Sequence, residues 1–218
     1  MGDTLIILFD LDGTLIDSTE AILESFHNSL RVHNQKKVSD ELIKEQIGYP
    51  LDIMFANVGV KDELVWDLVD TYREHYRVIS TAKTTLLPYA KEAIVLAKSF
   101  ADIGIVTTKT ALYSKELMEH FSVMEFFDVL IGREDVINPK PHPEPILKAL
   151  NSFEVKDKDI WMIGDTKLDL LSAKEAKVNS IGVLSGYGSL DSLQKHTKNI
   201  FDTTLEAVEF LKQKATQK

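Results

Sequence analysis

Cysteine is absent from the 218-residue chain, which excludes disulfide bonds, thiolate metal sites and cysteine nucleophiles. Long apolar runs are lacking too. No segment approaches the ~20 apolar residues of a membrane-spanning helix, and the amino terminus lacks the pattern of a signal peptide. Positive charge is scarce, because 25 Lys and Arg residues stand against 34 Asp and Glu, a formal net charge of −9. We therefore expect a cytoplasmic protein that binds neither membranes nor nucleic acid.

The most informative stretch that is present runs from Leu5 to Leu15. Five apolar residues, Leu5–Phe9, are followed by Asp10 and Asp12. Such a run, bounded by turn residues, is typical of a strand buried on both faces. Both aspartates would then project from its carboxyl end, where open α/β sheets bind ligands. Because neighbouring carboxylates repel, the pattern indicates a metal site or a proton-sharing pair; the plain alternative is an acidic turn after a core strand.

The rest of the chain divides into a helical part and an alternating part. Residues 16–82 carry apolar residues at helical spacing and predict helices without strands. From residue 83 onward helices and strands alternate, which predicts an α/β fold with a doubly wound, parallel, Rossmann-like sheet. The predicted domains are an α/β core of residues 1–15 and 83–218 and an inserted all-helical cap of residues 16–82. Hinges are expected near Leu15–Ile16 and Thr81–Thr85.

Polar residues recur where the later strands are predicted to end, which is where such sheets collect functional groups. They are Thr107, Thr108, Lys140, Asp165 and Asp169. Prolines at positions 139, 141 and 143 stiffen the backbone around Lys140. Several acids, one fixed lysine and two hydroxyl groups at one sheet edge suit a phosphate held beside Mg²⁺, which prefers oxygen ligands.

In chain order these residues resemble the four motifs of the haloacid dehalogenase-like hydrolase superfamily. The matching segments are Asp10-Leu11-Asp12-Gly13-Thr14-Leu15, Thr107, Lys140, and Gly164-Asp165-Thr166-Lys167-Leu168-Asp169. The chain is most similar to the phosphoglycolate phosphatase-type branch, in which a helical cap follows the first motif. The four motifs together, at the expected strand ends, are specific, and the resemblance covers the whole chain.

The resemblance implies Mg²⁺-dependent hydrolysis of a small phosphorylated metabolite, such as phosphoglycolate, through an aspartyl-phosphate. Asp10 would be the nucleophile. Asp12 would be the general acid and then the general base, and its backbone carbonyl would contact the metal. Asp10 and Asp165 would bind Mg²⁺ directly. Asp169 would act on the site indirectly, through water or through Lys140.

The resemblance also implies the groups that hold the phosphoryl group. Thr107 would donate a hydrogen bond to it. Lys140 would hold the nucleophile and offset phosphoryl charge. Thr108 stands where the family usually has Asn, so its contact with the substrate is expected to be altered.

Other functions on the same scaffold stay open. A phosphomutase such as β-phosphoglucomutase and a pyrophosphatase are the enzymatic alternatives, although the loop Ile47–Leu51 lacks the arginine of the sugar-phosphate mutases, which favours hydrolysis. The non-enzymatic alternative is a phosphate-sensing or receiver-like signalling domain. A receiver is typically shorter and lacks both a helical insert and a general acid such as Asp12. The sequence leaves the oligomeric state open.

Overall fold

A parallel sheet of six strands organises the residues that the computed structural model describes, 5–217. The strands in this range are β1 (Leu5–Phe9), β2 (Ile16–Asp17), β3 (Thr85–Leu86), β4 (Asp102–Val106), β5 (Val129–Ile131), β6 (Asp159–Gly164), β7 (Asn179–Val183) and β8 (Ile200–Phe201). The sheet has the order β5-β4-β1-β6-β7-β8, and all its pairings are parallel. The chain builds outward from β1 through β4 to β5, and then crosses to β6 on the other side. The carboxyl ends of β1, β4 and β6 therefore meet at the point where the winding reverses, the usual ligand position in such sheets.

The helices of the described range fall into two groups. Four precede β3: α1 (Thr19–Val32), α2 (Asp40–Lys44), α3 (Leu51–Asn57) and α4 (Asp62–Ile79). Six follow it: α5 (Ala90–Lys98), α6 (Ala111–His120), α7 (Glu144–Leu150), α8 (Lys167–Glu175), α9 (Leu190–Leu193) and α10 (Thr204–Thr216). Short 3₁₀ turns occupy Ser80–Ala82, Met124–Phe126 and Arg133–Asp135. None of the described helices has the length and apolar character needed to cross a membrane.

Strand β1 is buried on both faces, as its unbroken apolar run predicts. Ile6 and Leu8 belong to the cluster on the side of α7 and α8. Ile7 and Phe9 belong to the larger cluster on the side of α5 and α10. Since burying one such side chain contributes roughly 1.5–3 kcal/mol, this central strand is firmly anchored. The predicted α/β class and parallel, doubly wound sheet are confirmed.

Helices α1 to α4 pack around an apolar cluster of their own. The rings of Phe26 and Phe55 stack with centroids 4.1 Å apart, and those of Tyr72 and Tyr76 stack 5.6 Å apart. Ser39 caps α2 by accepting a hydrogen bond from the Leu42 N–H at 3.3 Å, which satisfies a donor that the helix itself leaves free. The helical segment thus has a separate core, as a cap would.

The prediction that residues 16–82 contain no strand is wrong at one end. Ile16–Asp17 pairs with Thr85–Leu86 as an antiparallel ribbon, and the Leu87 N–H donates to the Leu15 carbonyl at 3.0 Å. The two chain crossings between the helical segment and the sheet lie side by side, and this pairing satisfies their backbone groups. A two-residue strand is too short to show periodicity in sequence. The domain boundaries and hinges stay predictions, and residues 1–4 and 218 of the predicted core lie outside the described range.

Candidate active site

The turn after β1 sets the position of the first two aspartates. The Asp10 N–H donates to the Ile163 carbonyl at 2.9 Å, so its backbone continues the sheet ladder. The chain then winds around the Leu11 carbonyl, which accepts N–H groups from residues 14, 15 and 16. Gly13 permits this turn, because its φ of +83° is a conformation that side-chain-bearing residues rarely adopt. The Asp10 side chain is buried at the sheet edge.

Lys140 joins two of the predicted carboxylates. Its Nζ donates to Asp10 Oδ1 at 2.7 Å, to Asp169 Oδ1 at 2.5 Å and to the Val106 carbonyl at 3.1 Å. These three acceptors match the three N–H bonds of an ammonium group, so its position is fixed. Burial disfavours its charged form, but Asp10 and Asp169 outweigh burial and raise the pKa of Lys140 above its ordinary value. The lysine is therefore a permanent positive charge against Asp10.

Asp169 is held from its other side by the start of α8. Its Oδ2 accepts the Thr166 N–H at 3.0 Å and the Thr166 hydroxyl at 2.7 Å. Asp169 therefore caps its own helix while it orients Lys140. Thr166 and Asp169 together form the cap of α8, and the lysine that pairs with Asp169 is Lys140.

Asp165 is surrounded by closely approaching backbone. Its Oδ1 accepts the Thr14 hydroxyl at 3.2 Å, and its Oδ2 accepts the Tyr187 N–H at 2.8 Å. A Cβ atom at Gly13 would lie 2.3 Å from Asp165 Oδ2, and one at Gly186 would lie 2.1 Å from it. Only glycine at these two positions leaves room for the carboxylate.

The three buried carboxylates crowd one another. Asp10, Asp165 and Asp169 each offer an oxygen within 4.8 Å of the others. Burial raises the pKa of Asp10 to about 7 despite Lys140, with Asp169 and Asp12 adding to the rise. Burial, followed by the charges of Asp10 and Asp169, raises the pKa of Asp165 well above its usual range. The three carboxylates therefore carry more negative charge than Lys140 neutralises.

Asp12 is paired separately, with a lysine that the sequence did not single out. Lys109 Nζ lies 3.1 Å from Asp12 Oδ2, and the Ser18 hydroxyl donates to Asp12 Oδ1. Lys109 also donates to the Tyr76 hydroxyl of α4 at 3.0 Å, with its Nζ 4.4 Å from the Tyr76 ring centroid. Asp12 is thereby tied to the helical segment. The only sequence signal for Lys109 was its place directly after the threonines that end β4.

The charges of this region balance if a divalent cation is present. The region has four carboxylates and two ammonium groups: Lys109 pairs with Asp12, and Lys140 pairs with Asp10 and Asp169. Asp165 has neither as a partner, and two negative charges stay uncompensated. Uncompensated buried charge is costly. An oxygen-only donor set of this kind suits a hard divalent ion. The arrangement fits a metal ion held between Asp10 and Asp165.

The two predicted threonines have different surroundings. Thr107 is buried at the end of β4, and its Oγ1 accepts the Lys109 N–H at 3.2 Å. The Thr108 hydroxyl donates to the Gly48 carbonyl in the loop between α2 and α3, at 2.9 Å. Thr108 therefore links the sheet to the helical segment. Contact of either threonine with a phosphoryl group stays a prediction.

A cavity of about 190 Å³ lies between the sheet edge and the helical segment. Its lining includes Asp12 and Lys109 on the sheet side and Tyr76 on the side of the helices. Tyr72 and Tyr76 belong to the apolar core of the helical segment. Both are buried in that core, and both also line the cavity.

The family suggested by these features is confirmed by comparison with known proteins. The family model described as haloacid dehalogenase-like hydrolase matches residues 7–183. "Probable phosphatase IndB" of Dickeya dadantii is 33% identical over 210 residues, 93% of this chain and 91% of that protein. "Pyrophosphatase PpaX" of Halalkalibacterium halodurans is 34% identical over 175 residues, 80% of each chain. Proteins named phosphoglycolate phosphatase also match, at 26–27% identity.

A solved structure agrees with this assignment. The haloacid dehalogenase-like family hydrolase from Streptococcus pneumoniae superposes with a TM-score of 0.86 at 26% identity, covering 97% of this chain and all of that one. The chain belongs to the haloacid dehalogenase-like hydrolases. The predictions of this family and of a hydrolytic enzyme are confirmed, and the phosphatase class agrees with the names of the relatives.

Proposed function

We propose that this protein is a Mg²⁺-dependent phosphatase that hydrolyses a small phosphomonoester through a phosphoaspartate on Asp10. The observation that carries the proposal is the fixed geometry of Asp10 and Lys140, with Asp165 and Asp169 within 4.8 Å. A nucleophile, a permanent positive charge and a metal-binding carboxylate are thereby assembled before substrate arrives. Such positioning and charge neutralisation are the main demands of phosphoryl transfer.

In the first half-reaction an Asp10 carboxylate oxygen attacks phosphorus, and the bond from phosphorus to the leaving oxygen breaks. Asp12 gives the leaving oxygen its proton. Lys140 keeps Asp10 oriented and offsets negative charge on the phosphoryl group. Mg²⁺, bound by Asp10, Asp165 and the Asp12 carbonyl, would supply further neutralisation of that charge.

In the second half-reaction Asp12, now a carboxylate, removes a proton from water as the water oxygen attacks phosphorus. The bond from phosphorus to Asp10 breaks, and inorganic phosphate leaves. The same group thus serves as acid and then as base. Ser18 and Lys109 hold the Asp12 carboxylate in the lining of the cavity, which supports its role as the base in this step.

The test is phosphate release with Mg²⁺ across a panel that includes phosphoglycolate, pyrophosphate and a hexose 1-phosphate. We expect a phosphomonoester to be hydrolysed, the activity to be lost with a chelator, and Asp10→Asn to lose it while staying folded. Asp191→Asn, which changes an exposed carboxyl group, is the matched control. Near-normal turnover by Asp10→Asn would refute the nucleophile assignment.

The alternatives give different products in the same panel. Preference for pyrophosphate would identify a pyrophosphatase, which the 34% identity to a protein named PpaX makes the second candidate. Conversion of a hexose 1-phosphate into its isomer would identify a mutase. A stable phosphoaspartate without turnover would identify a receiver-like domain.

A further inference from the structure

The 190 Å³ cavity adjoins Asp12, the residue that would protonate the leaving group of the substrate. Asp12, the proposed acid for the leaving oxygen, lines it, whereas Asp10, Lys140 and Asp165 lie outside its lining. A substrate with its phosphorus at Asp10 and its ester oxygen at Asp12 would extend its leaving group into this space. The inference that follows rests on the proposed function, because that function defines which end of the substrate the cavity meets.

Aromatic and apolar residues form slightly more than half of the cavity lining, and charged and hydroxyl-bearing residues form most of the rest. One face of α4 contributes residues at helical spacing: Trp66, Val69, Tyr72, Arg73 and Tyr76. Across from it stands Tyr113 of α6, whose ring centroid is 6.0 Å from that of Tyr76. Aromatic rings prefer partners at 4.5–7 Å, stacked or edge to face. These walls therefore suit a planar ring better than an open polar chain.

The size of the cavity supports the same class of group. An engineered cavity of about 150 Å³ in another protein binds benzene, so about 190 Å³ is room for a substituted ring. Glycolate, with two carbons, would leave most of this apolar wall in contact with water. A phosphomonoester with a ring in its leaving group would cover it.

Arg73, in the lining of the cavity, carries a hydrogen-bond donor that needs an acceptor. Its Nε is buried and has no hydrogen-bond partner among the described residues. The Arg73 side chain as a whole is 36% exposed, and its Nη1 lies 3.6 Å from the exposed Asp70 Oδ1. Glu134, an acid in the same lining, already accepts the N–H groups at the start of α6. A buried donor without an acceptor is unfavourable, and a charged acceptor on the ligand would satisfy it.

We propose that the cavity takes a leaving group that is an aromatic ring bearing an anionic group, with that group paired to Arg73. The preferred substrate is then an aryl phosphate with a carboxylate, or a similar anion, on the ring. The ring lies between α4 and Tyr113, and the ester oxygen faces Asp12. Arg73 selects the substrate and takes no part in the chemistry at phosphorus.

The first experiment compares kcat/KM for 4-carboxyphenyl phosphate, phenyl phosphate and 2-phosphoglycolate with Mg²⁺. We expect the carboxylated ring to be preferred over both others by about tenfold or more, the effect of one charge-assisted hydrogen bond. Arg73→Gln should lower the ratio of carboxyphenyl to phenyl phosphate kcat/KM by about 10- to 100-fold, and Arg73→Lys should restore part of it. Arg31→Gln, an exposed arginine of α1 outside the cavity lining, is the control and should leave the ratio unchanged.

A second measurement does not depend on turnover. Calorimetric titration with 4-hydroxybenzoate, the phenol released from the carboxylated probe, should show binding that Arg73→Gln weakens and Arg31→Gln does not. If no substrate releases phosphate, the proposed function fails, and this titration alone decides the cavity's role. Absence of 4-hydroxybenzoate binding, equal effects of the two variants, or faster turnover of 2-phosphoglycolate than of the carboxylated ring would overturn the proposal.

Discussion

Replacing Asp10 with asparagine should remove turnover and also stabilise the metal-free protein at neutral and alkaline pH. Burial and the neighbouring carboxylates raise the pKa of Asp10 from 3.8 to about 7. The folded protein therefore binds more protons than the unfolded chain between these pH values. Stability falls as pH rises through that window, because stability decreases with pH wherever the folded state holds the extra proton.

The size of the effect follows from the shift. A rise from 3.8 to about 7 corresponds to roughly 4 kcal/mol, at ~1.4 kcal/mol per pKa unit. Asparagine resembles the protonated acid, so it avoids the cost of ionisation. Partial hydration of the site reduces that cost, and we expect a gain of about 1–3 kcal/mol in the free energy of unfolding at pH 8. The gain should be smaller at pH 5 and should approach zero only toward pH 4, where the unfolded chain becomes protonated as well.

The assay is urea unfolding with a chelator at pH 5, 6, 7 and 8, for wild type, Asp10→Asn and the exposed-site control Asp191→Asn. Adding Mg²⁺ at pH 8 should stabilise the wild type more than Asp10→Asn, because the ion neutralises charge that the variant lacks. The reasoning is refuted if Asp10→Asn is no more stable than the wild type at pH 8 without metal. It is also refuted if any gain is the same at pH 5.

Three further changes probe the surroundings of the site. Lys109→Met should cost about 1–3 kcal/mol of stability and most of the kcat/KM, because it leaves the partly buried Asp12 carboxylate without its charged partner. Lys115→Met, on the exposed side of α6, should do neither in the same unfolding and phosphate-release assays. Thr108→Val should cost about 1 kcal/mol in urea unfolding, the value of one lost hydrogen bond to the helical segment, and a large rise in KM instead would indicate substrate contact. Gly13→Ala should abolish phosphate release, because its Cβ would meet a carboxylate oxygen at 2.3 Å. Gly59 has a similar positive φ, of +92°, but a Cβ added there would have no atom within 4 Å. Gly59→Ala should therefore lose stability and keep activity. If both variants were inactive, backbone strain would explain the loss instead of the contact with the carboxylate.

Much of the fold was predictable because it depends on local patterns. The apolar run Leu5–Phe9 and the later alternation of strands and helices carry strong periodic signals. The ribbon of Ile16–Asp17 with Thr85–Leu86 and the short strand Ile200–Phe201 carry none, since two residues show no period. These elements are set by tertiary pairing, which sequence reasoning on one chain does not reach.

The candidate site shows the same division. Asp10, Lys140, Asp165 and Asp169 were predictable because strand ends in a parallel sheet converge, and the structure brings them together. Their catalytic and metal-binding roles stay predictions. The pairing of Lys109 with Asp12 was not predictable, because it depends on how the helical segment docks on the sheet.

Arg73 could not be singled out for a related reason. Its position on α4 reads as an ordinary polar residue among apolar ones, and only the docked cavity shows that its Nε is buried without an acceptor in the described chain. The same docking turns Tyr76 from a core residue into a cavity wall as well. Residues that select a substrate across two structural parts are therefore the hardest to find from sequence.

The most direct test of the central claim is to trap the phosphoaspartate. Wild-type enzyme turning over a good substrate with Mg²⁺ is quenched with borohydride, which reduces an acyl phosphate to an alcohol, and the peptides are read by mass spectrometry. We expect homoserine at position 10, and its formation should require both substrate and metal. Reduction at another carboxylate, or none in an enzyme that is releasing phosphate, would contradict it.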